Sequence, residues 1–196
     1  MKIEKSFDLN HSRDVVWHKM NDVYVVANCL PGASILEKVD DGRYKGRMSV
    51  KVGPMAASFD GEIGIESNPQ NWTAIVSGKG ADTRSSSRAS GSMTYRLGEA
   101  AIPGATRVDV VSDINLAGPL AQFSKGAIMQ EIASRITADF VRNFDAHLSA
   151  ISIAPDAPAP QPQSKSLDAG NLLWSVLRGR IRTFFDKLFG RPSAGS

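Results

Sequence analysis

The chain has 196 residues, 42% of them hydrophobic, a formal net charge of +3 and a single cysteine. That is enough for one domain of about 150 residues with a sizeable core plus an appendage, and it excludes an internal disulfide. The positive charge does not mark a nucleic-acid binder: residues 1–150 carry 17 basic and 17 acidic side chains, whereas 151–196 carry six and three, so the excess lies outside the domain.

Residues Lys2 to Asn10 alternate, with Ile3, Phe7 and Leu9 on one side, and predict a first strand. Ser12 is a helix-start residue; the segment to Met20 reads as a short helix, and a second over Asp22 to Asn28 is closed by the turn Leu30-Pro31-Gly32. From Ser34 to Asn115 alternation dominates. It is broken at short intervals by Asp40-Asp41-Gly42, Gly53-Pro54, Ser67 to Asn71, Ala81-Asp82-Thr83 and Pro103-Gly104-Ala105, which predicts strands joined as an antiparallel meander. Pro119 is expected to open a helix of about thirty residues reaching the neighbourhood of Ala150. Its apolar positions Leu120, Phe123, Ile128, Ile132, Ile136, Phe140, Phe144 and Leu148 form a drifting stripe that needs a curved partner. The expected fold is therefore α+β: a curved antiparallel sheet around a long C-terminal helix, the helix-grip architecture.

Residues 151–170 change character. The run from Ala154 to Gln163 holds four of the ten prolines and little apolar bulk, which predicts a flexible polyproline-like linker. At about 3 Å per residue it and the following residues to Ala169 span up to ~50 Å. Residues 171–191, NLLWSVLRGRIRTFFDKLFGR, predict a tethered amphipathic helix: Leu173, Val176, Leu177, Ile181, Phe184, Phe185, Leu188 and Phe189 stack on one face with Trp174 at its flank. Arg178, Arg182 and Lys187 lie toward the polar sides, and Arg180, close to the apolar arc, snorkels outward. Crossing a bilayer is disfavoured, because three arginines near the helix centre oppose insertion by roughly 8 to 10 kcal/mol. In the interface, each basic residue instead gains up to about 1 kcal/mol from anionic lipid. A helix that binds a partner or folds back on its own domain is the plainer alternative. The start of the chain alternates like a strand and no 18-residue uncharged apolar run occurs, so the expected location is cytoplasmic, peripheral on the inner face of the cell membrane.

Several motifs then align in order and spacing: Leu30-Pro31-Gly32, VKVGPM from Val50, Phe59-Asp60-Gly61, SGKGAD from Ser77 and AGPLAQF from Ala117. They resemble the carbon monoxide dehydrogenase G-subunit (CoxG) family, within the START-like SRPBCC superfamily of helix-grip proteins. The resemblance covers roughly residues 1–150. It implies a non-catalytic accessory protein without a tightly bound cofactor, associated with the membrane and with a molybdenum hydroxylase such as carbon monoxide dehydrogenase. Such a protein recruits the enzyme to the membrane or carries an isoprenoid quinone between bilayer and enzyme in an apolar cavity.

In a helix-grip fold the cavity lies between the concave sheet face and the long helix. Alternation nominates Met48, Val50, Met55, Phe59, Ala89, Gly91 and Met93 from the sheet, and Phe123, Met129, Ile132 and Ile136 from the helix side, as its lining. Small residues leave volume and methionines adapt to an apolar guest; the plainer alternative is an ordinary core at bends of a curved sheet. Three functional classes follow: a carrier of an apolar small molecule, a recruitment adaptor without ligand carriage, and a cyclase-like enzyme of the same superfamily. The last is disfavoured because Asp60, Glu62 and Glu66 fall on the phase opposite Phe59 and Ile63, and Asp109 and Asp113 alternate against Val108 and Val110. Cys29 has no histidine placed to activate it and reads as a buried structural thiol. His11, His18 and His147 lack metal-ligand spacing, so no metal is expected. Trp17 is expected to pack its helix onto the sheet, and Trp72 to cap a strand.

Overall fold

Alternation becomes a single antiparallel sheet in the computed structural model, which describes residues 1–52, 55–123 and 127–153. In chain order the elements are β1 (Lys2–Leu9), α1 (Arg13–Met20), α2 (Val23–Cys29), β2 (Ala33–Asp40), β3 (Arg43–Val52), β4 (Met55–Asn68), β5 (Thr73–Asp82), β6 (Ser87–Glu99), β7 (Thr106–Ala117), a 3-10 turn (Pro119–Phe123) and α3 (Ala127–Ile153). The strand order is β1-β7-β6-β5-β4-β3-β2, so β2 to β7 form the meander while β1 returns to pair with the last strand. The first three residues of the predicted linker 151–170 belong to α3 instead, and its remainder and the amphipathic segment 171–191 lie outside the described residues.

The two short helices sit between β1 and β2. The Asp22 carboxylate accepts from the backbone N–H of Tyr24 and Val25 at 3.0 and 3.2 Å, satisfying two orphan donors of α2. Pro119 opens a 3-10 turn, not the α-helix expected there; α3 is described from Ala127 and reaches Ile153, past the expected end. Ile128, counted on the apolar stripe, is 52% exposed. The stripe is continuous further along: Phe140 stacks on Phe144 at 5.3 Å, Phe7 meets Phe140 edge-on, and Phe144 and Leu148 are sealed from solvent.

Burial is concentrated in two places. The main cluster joins α3 to the strand ends near α1 and α2 through Leu9, Val16, Cys29, Tyr95, Leu97, Val108, Phe140, Phe144 and Leu148. A smaller one joins Ala57, Phe59 and Leu120, with Val50 and Ala89 against it. Trp17 does pack its helix onto the sheet, edge-on to Tyr95 at 6.2 Å. Trp72 does more than cap a strand: at φ 55, unusual for a bulky residue, it turns its ring edge-on to Trp17 at 5.6 Å beneath the Arg13 guanidinium, 4.7 Å above the ring.

Candidate functional site between sheet and helix

Register determines which side chains share the concave face. Met48 stands opposite Phe59 and Val50 opposite Ala57; Met93 stands opposite Val76. By alternation all of them lie on the face that carries the buried Tyr95 and Leu97. One line across the sheet on this face reads Gly46, Gly61, Gly80, Ala89, Leu116, and the next reads Tyr44, Ile63, Gly78, Gly91, Ile114. Five glycines and an alanine thus occupy the middle of the concave wall, between the two buried clusters.

Two of these glycines bend the sheet. A Cβ on Gly61 would stand 2.0 Å from the carbonyl oxygen of Lys79, and one on Gly91 2.4 Å from that of Asp113, so the neighbouring strands approach closer than a side chain allows. Gly78 differs: the nearest atom to its Cβ position is 3.7 Å away, so the volume there is open. Around this gap Met48, Ile63, Ile65, Ile114 and Leu116 are only half-buried and belong to neither cluster. On α3, Met129, Ile132 and Ile136 repeat at three and four residues with Phe140 and Phe144, which places them on the same helix face, and they too are half-buried outside both clusters.

Of the lining expected from the sequence, Met48, Val50, Phe59, Ala89, Gly91 and Met93 share the concave face, and Met129, Ile132 and Ile136 share the α3 stripe. Phe59 is buried in the smaller cluster and Met93 packs on the main one, so both are walls with a structural share. Met55 and Phe123 lie in β4 and the 3-10 turn by their backbones; their side chains lie outside the described residues. Ile114 and Leu116 were not among the expected lining. Their signal is the continuation of Val108 and Val110 along β7, masked by Ser112 in the same phase.

The charged groups mostly stay on the other face. Arg47 holds Asp60 through both Nε and Nη2, and Lys79 lies 3.0 Å from Glu62; the guanidinium and ammonium hold these carboxyls below their usual range. Asp82 is an exception the sequence did not reveal. It is 4% exposed on the inward phase, and its oxygens accept from the Ser85 hydroxyl at 2.7 Å and the Arg84 N–H at 3.1 Å, which lowers its pKa and ties it into the β5–β6 turn. Burial pushes the Cys29 thiol up to about 11, which leaves it protonated at neutral pH and inert as a nucleophile. Among the described residues no three His, Cys, Asp or Glu side chains gather as a metal site, and no helix is long and apolar enough to cross a membrane.

His147 stands on α3 within reach of the Lys19 and Asp22 charges, its Nε2 buried with no hydrogen-bond partner among the described residues. Burial lowers its pKa below 6.5, the Lys19 charge adds to this and Asp22 opposes it. The folded state therefore favours the neutral ring, and its contribution is complete above pH 6.5 and is lost as pH falls below that value. Thermal melts from about pH 7.5 down to about pH 5 should show a falling Tm, and His147→Gln should flatten that slope; an unchanged slope refutes the assignment.

The architecture is that of known proteins. A conserved protein from Geobacillus kaustophilus superimposes with a TM-score of 0.67 at 14% identity, covering 77% of this chain and 97% of its own. The Zhui aromatase/cyclase from Streptomyces sp. R1128 does so with a TM-score of 0.54 at 14% identity, covering 81% of this chain and 99% of its own. A Thermus thermophilus protein gives 0.53 at 12%, with 74% and 98% covered. At such identities the likeness shows the fold alone: a START-like helix-grip domain. No sequence match is found among curated proteins. The carbon monoxide dehydrogenase G-subunit (CoxG) family matches residues 6–149, which take in the second half of β1, β2 to β7, the glycine wall and most of α3, and the chain belongs to that family.

Proposed function

We propose that the domain carries an apolar small molecule of the isoprenoid quinone class between sheet and helix, and that the chain serves carbon monoxide dehydrogenase or a related molybdenum hydroxylase at a membrane surface without turnover of its own. The observation that carries this reading is the unfinished core. Eight half-buried apolar side chains, Met48, Ile63, Ile65, Ile114, Leu116, Met129, Ile132 and Ile136, surround a glycine wall and belong to neither buried cluster. Half-exposed aliphatic surface gives up roughly 25 cal/mol for every Å² left in water, and an apolar guest recovers it. A quinone isoprenoid chain has the shape and chemistry for that space. The family supports the partner, and the basic amphipathic segment 171–191 supports the membrane.

The deciding assay measures electron transfer from a partner hydroxylase to membrane quinone with the full chain, with a chain cut at Ala154, and with neither. The full chain is expected to give the fastest transfer. Equal rates in all three refute the accessory role, and turnover of a substrate by the protein alone would establish the cyclase reading instead. Deletion after Gln163 is expected to abolish flotation with anionic vesicles, and raising the salt to reduce flotation of the full chain, because exposed charge attraction is screened within about 10 Å at 0.1 M. Binding that persists after deletion or ignores salt removes 171–191 from the membrane role.

A further inference from the structure

The convex face of the same sheet holds a second concavity. A groove of about 490 Å³ crosses β4 to β7 on the side away from the ligand space, with Glu62, Lys79, Arg88 and Asn115 around a floor that includes Gly61 and Gly80. The cations here are arranged unequally. Across β2 to β5 one line alternates Glu37, Lys45, Glu62, Lys79 in register, with Lys45 2.7 Å from Glu37 and Lys79 3.0 Å from Glu62. On the adjacent line Arg47 pairs with Asp60, but Arg88 stands between Ala81 and Ala117, and among the described residues no carboxylate pairs with it. The groove therefore presents one uncompensated guanidinium, with five N–H donors in a fork, beside the Ser90 hydroxyl and the Asn115 amide.

We propose that this groove docks an extended segment of a partner protein through one carboxylate seated on Arg88. Charge decides the occupant. With the Glu62–Lys79 and Asp60–Arg47 pairs already neutral, a single acidic side chain completes the face. The methyls of Ala81 and Ala117 on either side leave the guanidinium reachable and supply apolar contact to a backbone laid across the strands. Gly61, Gly80 and Ala89 belong to this groove by their backbones and to the opposite ligand wall by phase, so the docked segment lies one backbone layer from that space. This placement rests on the proposed accessory function for the identity of the partner, while the docking chemistry stands on the groove.

The test uses the full chain, isotopically labelled for NMR, and two synthetic peptides, acetyl-Gly-Ala-Glu-Ala-Gly-amide and its glutamine twin, at low ionic strength. The glutamate peptide is expected to shift the amides of Gly80, Ala81 and Ala89 saturably, with at least a fivefold weaker response to the glutamine twin. Arg88→Glu should abolish the response and create one to the lysine analogue of the peptide, while Arg88→Gln abolishes both. Equal responses to the two original peptides, shifts confined to other surfaces, or a response that survives Arg88→Glu overturns the proposal. Concentration-dependent self-association that Arg88→Glu removes also overturns it, by assigning the groove to a second copy of the chain. Quinone affinity is expected to be unchanged in Arg88→Glu, so failed docking with intact quinone binding strikes only the groove. Absent quinone binding in the wild-type protein strikes only the carrier reading.

Discussion

Gly78→Trp is expected to lower the affinity for a short-chain isoprenoid quinone by more than tenfold, about 1.4 kcal/mol, while shifting Tm by only a few degrees. Gly78 lies on the concave face opposite Gly91 and Ile63, and its Cβ position has only the Glu62 carbonyl oxygen near it, at 3.7 Å. A side chain there starts without a backbone clash and is directed from the concave face toward the α3 stripe. It then competes with the guest for contact with Met48, Ile63 and the α3 stripe. Quinone fluorescence quenching or calorimetry on the variant measures the outcome. A folded Gly78→Trp protein with wild-type affinity removes the ligand from this space.

Gly61→Ala, a far smaller change on the same wall, is expected to cost about 3 kcal/mol of stability, at the upper end of overpacking penalties. For a domain of this size that lowers Tm by roughly 6 to 12 °C. The added methyl would stand 2.0 Å from the Lys79 carbonyl oxygen and 2.6 Å from the Gly80 Cα, both main-chain atoms without a rotamer to yield. Only separation of β4 from β5 relieves the clash, and that flattens the bend of the concave wall. Calorimetry should show the loss; a Tm within about 2 °C of wild type would mean that the strands part easily and that Gly61 does not shape the wall. Two glycines on neighbouring strands of one face thus have opposite tolerances, and the difference lies in whether backbone or empty volume faces the missing side chain.

This distinction also marks where reading the sequence succeeds and where it stops. Period-two alternation from Ser34 to Asn115 and turn residues such as Asp40-Asp41-Gly42 are local signals, and they predict the meander, the phase of Met48 against Phe59 and the solvated phase of Asp60 and Glu62. The drifting stripe on α3 likewise anticipates a curved partner, because Phe140, Phe144 and Leu148 are its buried end. Non-local geometry is absent from such patterns. Nothing near Gly61 or Gly78 in the chain states which has a carbonyl at its Cβ position, since that depends on strand approach. Ser112 hides the contribution of Ile114 and Leu116, and the inward Asp82 is explained only by the Ser85 and Arg84 groups that fold back to it. The 3-10 turn at Pro119 escapes for a similar reason: Leu120 is drawn into the cluster with Phe59, and that tertiary contact overrides the helix-start preference of the local residues.

The return of β1 to the last strand shapes how the protein is made. Lys2 pairs with Asp113 and Leu9 with Thr106, so the opening segment has no sheet neighbour until the far end of the meander exists. During synthesis at roughly 5 to 20 residues per second, those early residues wait on the order of 5 to 20 s for their partner. Pairings this distant in sequence carry a large loop-closure cost before any contact repays it, which slows closure further. Ile3, Phe7 and Leu9 lack their strand partner throughout that interval, so the nascent chain carries an unpaired apolar strand that the finished protein does not.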